Sequence, residues 1–202
     1  MKRIIFISFG CLMLFSGCLG IQENYEYTPS NISNEVNMTA WDFIKSRPDV
    51  FSDLRDAVRK SGMDSTLYYS NSRKYTYLLL NNTAMSNLTA ILGNINSTTK
   101  SKWVNVLSYH IIDGNYHGLG TLNFDPTYVV TFWRSQDAIM TLQLENRNSF
   151  NYSRLIVNGL DPAWTLLTST FKYAVTSNLM CTNGVCHVLS RHARPLENDT
   201  FN

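Results

Sequence analysis

The stretch Leu107–Tyr116, Leu-Ser-Tyr-His-Ile-Ile-Asp-Gly-Asn-Tyr, limits what this chain can fold into more than any other. Trp103, Val106, Leu107 and His110 are spaced to share one face of a helix. Tyr109–Ile112 is a short extended apolar run that stops at Asp113-Gly114. A helix passing straight into a strand lies where two layers of a domain meet, so the remaining segments must supply both kinds of layer.

They do. Thr39-Ala40-Trp41-Asp42 and Ser46-Arg47-Pro48-Asp49 both have the pattern of a helix start, a capping side chain followed three residues later by a carboxylate. Val50, Phe51, Leu54, Ala57 and Val58 then keep helical spacing until Ser61-Gly62. Tyr75–Leu80 is an apolar, aromatic run of strand length. After it, Asn82 is placed to cap a helix carrying Met85, Leu88, Ile91 and Leu92 as far as Gly93. Further strands are expected at Tyr128–Trp133, Ile139–Leu144, Leu155–Val157 and Phe171–Val175. Within the second of these, Met140, Leu142 and Leu144 should be the more deeply buried set.

At the start of the chain Lys2 and Arg3 precede a mostly apolar run, Ile4–Phe15, and then Ser16-Gly17-Cys18. The run is too short for a comfortable membrane span, and the small residues stand directly before a cysteine. This resembles a bacterial lipoprotein signal, with Leu14 and Phe15 near the place where the usual motif has leucine. The resemblance implies cleavage before Cys18, which would carry a diacylglyceryl group and acyl chains such as palmitate. Two chains already give stable anchoring. Residues 1–17 are thus expected to be signal, 18–37 a flexible tether around Thr28-Pro29-Ser30, and 38–202 the folded domain. The residue after Cys18 is Leu19, not the aspartate that holds some lipoproteins at the inner membrane, which favours the outer membrane.

The whole chain has 17 basic and 15 acidic residues; without Lys2 and Arg3 the side chains balance. That leaves no basic surplus for nucleic acid.

Cys11 falls in the signal and Cys18 is assigned to the lipid, which leaves Cys181 and Cys186. Asn183-Gly184 is a preferred centre for a two-residue hairpin, which would place Cys181 opposite Cys186 with α-carbons about 4.5–5.5 Å apart. That is within disulfide reach, so a disulfide is expected in an oxidising compartment, closing a loop too short to add much stability. The competing reading, a metal pair or redox dithiol, lacks a second ligand pair and the two-residue spacing of redox motifs.

Three segments together resemble fasciclin-like domains. Leu107–Tyr116 is similar to their Tyr-His segment, matching at Tyr109, His110 and Gly114. The strand-cap-helix junction after Tyr75–Leu80 resembles their first motif, with Asn82, Ala84 and Met85 in the Asn, Ala and Phe places, Leu80 for the usual proline and Asn81 for threonine. Cys181–Arg191 resembles their second motif, with Asn183, Gly184, Val185, His187 and Val188 matching and Ser190 in place of aspartate. Leu155–Gly159 is similar to their Val-Asn-Gly strand end.

The resemblance covers roughly residues 39–196 and implies an α+β fold, a β-sandwich or wedge flanked by several helices. It implies that Asn82, Tyr109, His110, Asn183 and His187 are mainly architectural. It also implies adhesion to protein, matrix or polysaccharide, without catalysis and without a cofactor.

His110, His117, His187 and His192 fit no strong zinc spacing, and no metal is expected. Gly-x-Ser-x-Gly, a phosphate-cradling glycine loop and His-Glu-x-x-His are all missing from the sequence. Carboxylates meeting in space remain the catalytic alternative, a hydrolase. Asn31, Asn37, Asn81, Asn87, Asn96, Asn151 and Asn198 each begin Asn-x-Ser/Thr, read here as a product of an Asn- and Thr-rich composition. A second function class is an accessory subunit of an outer-membrane complex capturing glycans or nutrients, with Trp133, Trp164 or Tyr152 stacking on sugar rings.

Overall fold

The structure, a computed structural model, describes residues 34–118, 120–135, 138–145, 154–159 and 173–194. At its centre is β1 (Tyr75–Leu80), with all six side chains buried. It pairs in parallel with β7 (Gly184–Leu189), from Tyr75↔Gly184 to Leu80↔Leu189, and antiparallel with β2 (Ile111–Asp113). A strand covered on both faces needs a continuous apolar run, not an alternating one, and Tyr-Thr-Tyr-Leu-Leu-Leu supplies it. β6 (Ala174–Cys181) closes this sheet as the outer partner of β7, giving the order β2-β1-β7-β6.

A second, antiparallel sheet contains β3 (Thr127–Val130), β4 (Ile139–Leu144) and β5 (Leu155–Val157) in sequential order. Ile112 bridges Thr131 just beyond β3, and Ile156 bridges Tyr173 just before β6, so the sheets meet along both margins. Met140, Leu142 and Leu144 are buried as expected, but Thr141 on the alternate face is buried too, so the alternation is only partial.

Four α-helices, α1 (Ala40–Ser46), α2 (Pro48–Ser61), α3 (Asn82–Leu92) and α4 (Lys100–Tyr109), and a π-helical turn at Asp64–Tyr68 complete the described architecture. The fold is α+β, as expected. α2 packs against α3, α4 and β1, burying Phe51, Leu54, Ala57 and Val58. Thr39 caps α1 by accepting from Asp42 N at 3.1 Å while donating to the Asp42 carboxylate at 2.7 Å.

Several local expectations are corrected. The N-cap of α2 is Arg47, not Ser46, because Ser46 closes α1 by donating to Phe43 O at 2.8 Å and a single residue separates the two helices. The cap of α3 is Asn81, whose side chain accepts from Ala84 N at 2.9 Å; Asn82 is the first helical residue. Ile91 lies 60% exposed, outside the buried stripe of Ala84, Met85 and Leu88. Tyr109 ends α4 and is not yet strand; His110 is the cap and extended backbone begins at Ile111.

The largest correction concerns the β6–β7 hairpin. Its register pairs Cys181 with Gly184, Met180 with Val185 and Leu179 with Cys186. The two turn residues are therefore Thr182 and Asn183, and Gly184 begins β7. Packing overrides the local turn preference: a Cβ on Gly184 would stand 1.9 Å from Tyr75 O, and its φ is +150°. Only glycine lets the hairpin sit this close to β1.

Residues 34–37, expected to belong to the tether, run beside the end of β6. Met180 N donates to Asn34 O at 2.8 Å, Val36 N to Met180 O at 2.9 Å and Thr182 N to Met38 O at 2.9 Å.

Candidate functional site

The Tyr-His segment and the second motif are brought together around β1. The Asn82 motif lies at the far end of the same strand.

Asn183 is fully buried, with its amide bonded on every side. Oδ1 accepts from Ala40 N at 2.8 Å, and Nδ2 donates to Tyr68 O at 2.8 Å and to the Tyr77 hydroxyl at 2.9 Å. Tyr77 in turn donates to Leu67 O at 2.9 Å, and its ring stacks on Tyr68 with centroids 5.5 Å apart. One side chain thus ties the hairpin turn to the first residue of α1, to β1 and to the π-helical turn Asp64–Tyr68. Burial pushes both the Tyr68 and Tyr77 hydroxyls well above the ordinary phenol range, so both stay neutral.

His187, on β7, receives Asn178 N on Nδ1 at 3.2 Å and donates from Nε2 to Tyr116 O at 2.9 Å. His110 donates from Nδ1 to Val106 O at 2.8 Å and accepts Ala193 N on Nε2 at 2.9 Å. These partners fix one neutral tautomer for each ring. Burial drives both pKa values down to about 4, with the hydrogen bond to a carbonyl opposing it in each case. His192 is lowered to about 3 by burial and then by its neighbour His110. Among the described residues no group of three or more His, Cys, Asp or Glu side chains converges on one point.

Gly114 follows β2 with φ +121°, and a Cβ there would meet the Tyr116 ring at 2.8 Å. The Thr76 hydroxyl donates to Gly114 O and accepts Tyr116 N, both at 2.8 Å, so β1 holds this turn in place.

Asn82 joins two helices. Its Oδ1 accepts from Ser52 Oγ at 3.2 Å and Asp53 N at 3.3 Å, and its Nδ2 donates to Asp49 O at 3.2 Å. Ala84 and Met85 are buried beneath it.

A further hub was not singled out from the sequence. Asn158, just after β5, is fully buried at φ +50°. Its Oδ1 accepts from Thr141 N at 2.9 Å, and its Nδ2 donates to the Tyr109 hydroxyl at 3.0 Å and to Arg194 O at 2.6 Å. The signal was present in the Val-Asn-Gly strand end, but without the partner across the fold it reads as an ordinary turn.

Cys181 and Cys186 are thiols with sulfurs 3.2 Å apart, and no disulfide joins them in this structure. The hairpin register explains the difference: the two residues are diagonal neighbours instead of directly opposed. Trp133 is buried, its ring edge-on to Tyr109 at 5.7 Å, so it presents no face to a sugar. Trp164, Tyr152 and the lipidation residue Cys18 lie outside the described residues. The exposed large apolar side chains include Tyr69, Phe124, Tyr128, Val130 and Ile139. Val130 pairs with Ile139, and Tyr128 lies two residues along β3 on the same face.

No curated protein sequence matches the chain. Among solved structures it is similar to a FAS1 domain pair from the insect cell adhesion molecule fasciclin I, with a TM-score of 0.52 and 15% identity. The alignment covers 77% of this chain and 50% of that one, so the chain spans half the length of the pair and shares its fold. The sequence also matches the description "Fasciclin domain" over residues 49–195, a family typically linked to adhesion and not to catalysis. The three motifs, the two sheets flanked by helices and this match agree: the chain belongs to the fasciclin-domain family.

Proposed function

We propose that the protein is a membrane-anchored, extracytoplasmic binding or adhesion module that recognises a protein, matrix or polysaccharide ligand and performs no catalysis. The observation that carries this reading is the commitment of three buried motif side chains, His110, His187 and Asn183. Both ring nitrogens of His110 and of His187 are bonded to main-chain groups, and both amide atoms of Asn183 are likewise engaged. Acid–base chemistry needs a titratable group within reach of a substrate proton. These groups reach only the protein, and the motif residues serve as architecture.

Anchoring rests on Cys18 and the apolar run before it, and the leucine at position 19 supports the outer membrane. The contact capacity lies in the exposed apolar side chains, of which Tyr128 and Val130 on β3 are the most exposed.

The test is protease accessibility of the tagged protein on intact and lysed cells, with palmitate labelling of the wild type and of Cys18→Ala. Cleavage on intact cells and label lost in the variant are expected, followed by retention on matrix proteins or polysaccharide. Protection until lysis would end the adhesin reading.

A second reading, an accessory subunit of an outer-membrane glycan- or nutrient-capture complex, draws on the exposed rings of Tyr69, Phe124 and Tyr128. Co-purification in a fixed stoichiometric membrane complex would favour it; retention on polysaccharide by the isolated protein would favour the first.

A further inference from the structure

We propose that Cys181 and Cys186 form a reversible dithiol–disulfide couple that controls how firmly residues 34–38 are held against β6. The starting observation is two buried thiols whose sulfurs lie 3.2 Å apart across a hairpin. Cys181 pairs with Gly184, so Cys186 is its diagonal neighbour across the hairpin. Diagonal α-carbons on paired strands are about 7–8 Å apart, beyond the usual disulfide span of about 4.4–6.8 Å. Closing the bond therefore requires one strand to move.

The strand that moves is β6. β7 is paired on both sides, with β1 and β6, and Gly184 is pressed against the Tyr75 backbone. β6 has one strand partner and two register shifts, and Asn178 within it has φ +61°. The chain on the far side of Cys181 is the segment 34–38, held by the amides of Met180 and Thr182 on either side of that cysteine. Drawing Cys181 towards β7 draws it away from this segment and lengthens those hydrogen bonds. Strained cross-links are also the readily reduced ones, which makes the couple reversible.

The chemistry needs a small-molecule disulfide as oxidant. The thiolate of Cys181, 7% exposed where Cys186 is 0%, attacks one sulfur of the disulfide and expels the other half as a thiolate. The Cys186 thiolate then attacks the Cys181 sulfur of the mixed disulfide and expels the second half. The protein loses two protons and two electrons, and the oxidant becomes two thiols. Burial pushes the Cys186 thiol up, which lowers its thiolate fraction and slows the second step, but the mixed disulfide is already at hand and no further encounter is needed.

The test uses the full chain, reduced and then equilibrated with oxidised glutathione. Mass spectrometry after thiol alkylation reads the bond, and amide hydrogen exchange reads Val36, Met180 and Thr182 against Leu78, which donates to His110 O inside the sheet. The expected result is loss of both alkylation sites together with roughly tenfold faster exchange at those three amides and no change at Leu78. The folded Cys181→Ser variant should show neither effect. Two thiols still alkylated after oxidation would overturn the couple. A bond formed with exchange unchanged or slowed would overturn its control of the segment.

Discussion

The amide of Asn183 donates to the hydroxyl of Tyr77 at 2.9 Å although 106 positions separate the two residues in the chain. The same side chain accepts from Ala40 N, so the hairpin turn, β1 and the first turn of α1 share one fully buried polar group. Removing one partner from such a network leaves the others unsatisfied, which costs more than the bonds themselves contribute.

Asn183→Ala is therefore expected to destabilise the domain by about 3 kcal/mol or more, with Ala40 N and Tyr68 O left buried and unpaired. Tyr77→Phe should cost less, about 1–2 kcal/mol, since it removes one hydroxyl that both donates and accepts. Urea unfolding of the two variants checks the order; equal and small losses would show that the network is not a hub.

Gly184→Ala tests the register of the hairpin. With Gly184 in β7, the new methyl would lie 1.9 Å from Tyr75 O, and β7 must separate from β1 to admit it. A loss of at least about 3 kcal/mol, or no soluble protein, is expected. A two-residue turn centred on Asn183-Gly184 would instead remove that contact, and the alanine would cost only about 1 kcal/mol through its φ. Thermal unfolding separates the two.

The same hairpin shows what could be read from the sequence. β1, β4, β5 and the helical stripe of α2 were legible because each is long or strongly patterned relative to its neighbours. Asn183 and Gly184 stand out in the sequence both as a preferred turn pair and, through the resemblance, as motif residues, but neither reading names their partners. Their roles depend on Ala40, Tyr75 and Tyr77, which no local pattern connects to them. β6 was legible only at its start, since its register shifts and the left-handed Asn178 break the alternation that marks a strand. Asn158 was hidden for the reason that applies to Asn183: a buried asparagine and a turn asparagine look alike until the partner strand is in place.

Acid should unfold the domain through its histidines. His110 and His187 have folded pKa values near 4, against the ordinary 6.5. Between those values the unfolded chain binds protons that the folded one excludes, so stability is full above about pH 6.5 and falls as the pH drops towards 4. Each ring contributes a slope of about 1.4 kcal/mol per pH unit in that window. Protonation also gives Nε2 of His110 a proton that faces the Ala193 N–H, removing an acceptor. A steep loss of stability centred near pH 5 is expected, shallower in His187→Gln by one proton. A flat profile from pH 7 to 4 would mean that these rings are hydrated in solution.

Tyr109 and Asn158 give the most direct measure of coupling between the sheets. Tyr109 ends α4, and the one proton of its hydroxyl is shared between Arg194 O at 3.1 Å and Ile139 O at 3.3 Å while the oxygen accepts from Asn158 at 3.0 Å. Asn158 itself holds Thr141 N on β4 and Arg194 O beyond β7. Both residues thus satisfy the same carbonyl, and either one alone leaves it partly served. Tyr109→Phe is expected to cost about 1–2 kcal/mol and Asn158→Ala about 2–3 kcal/mol. Their double variant should cost less than the two losses added, by about 1 kcal/mol, because the bond between them is removed in each single variant. A double-mutant cycle by urea unfolding measures this directly; strict additivity would mean that the helix end and the strand end are held independently and that the shared carbonyl is not what joins them.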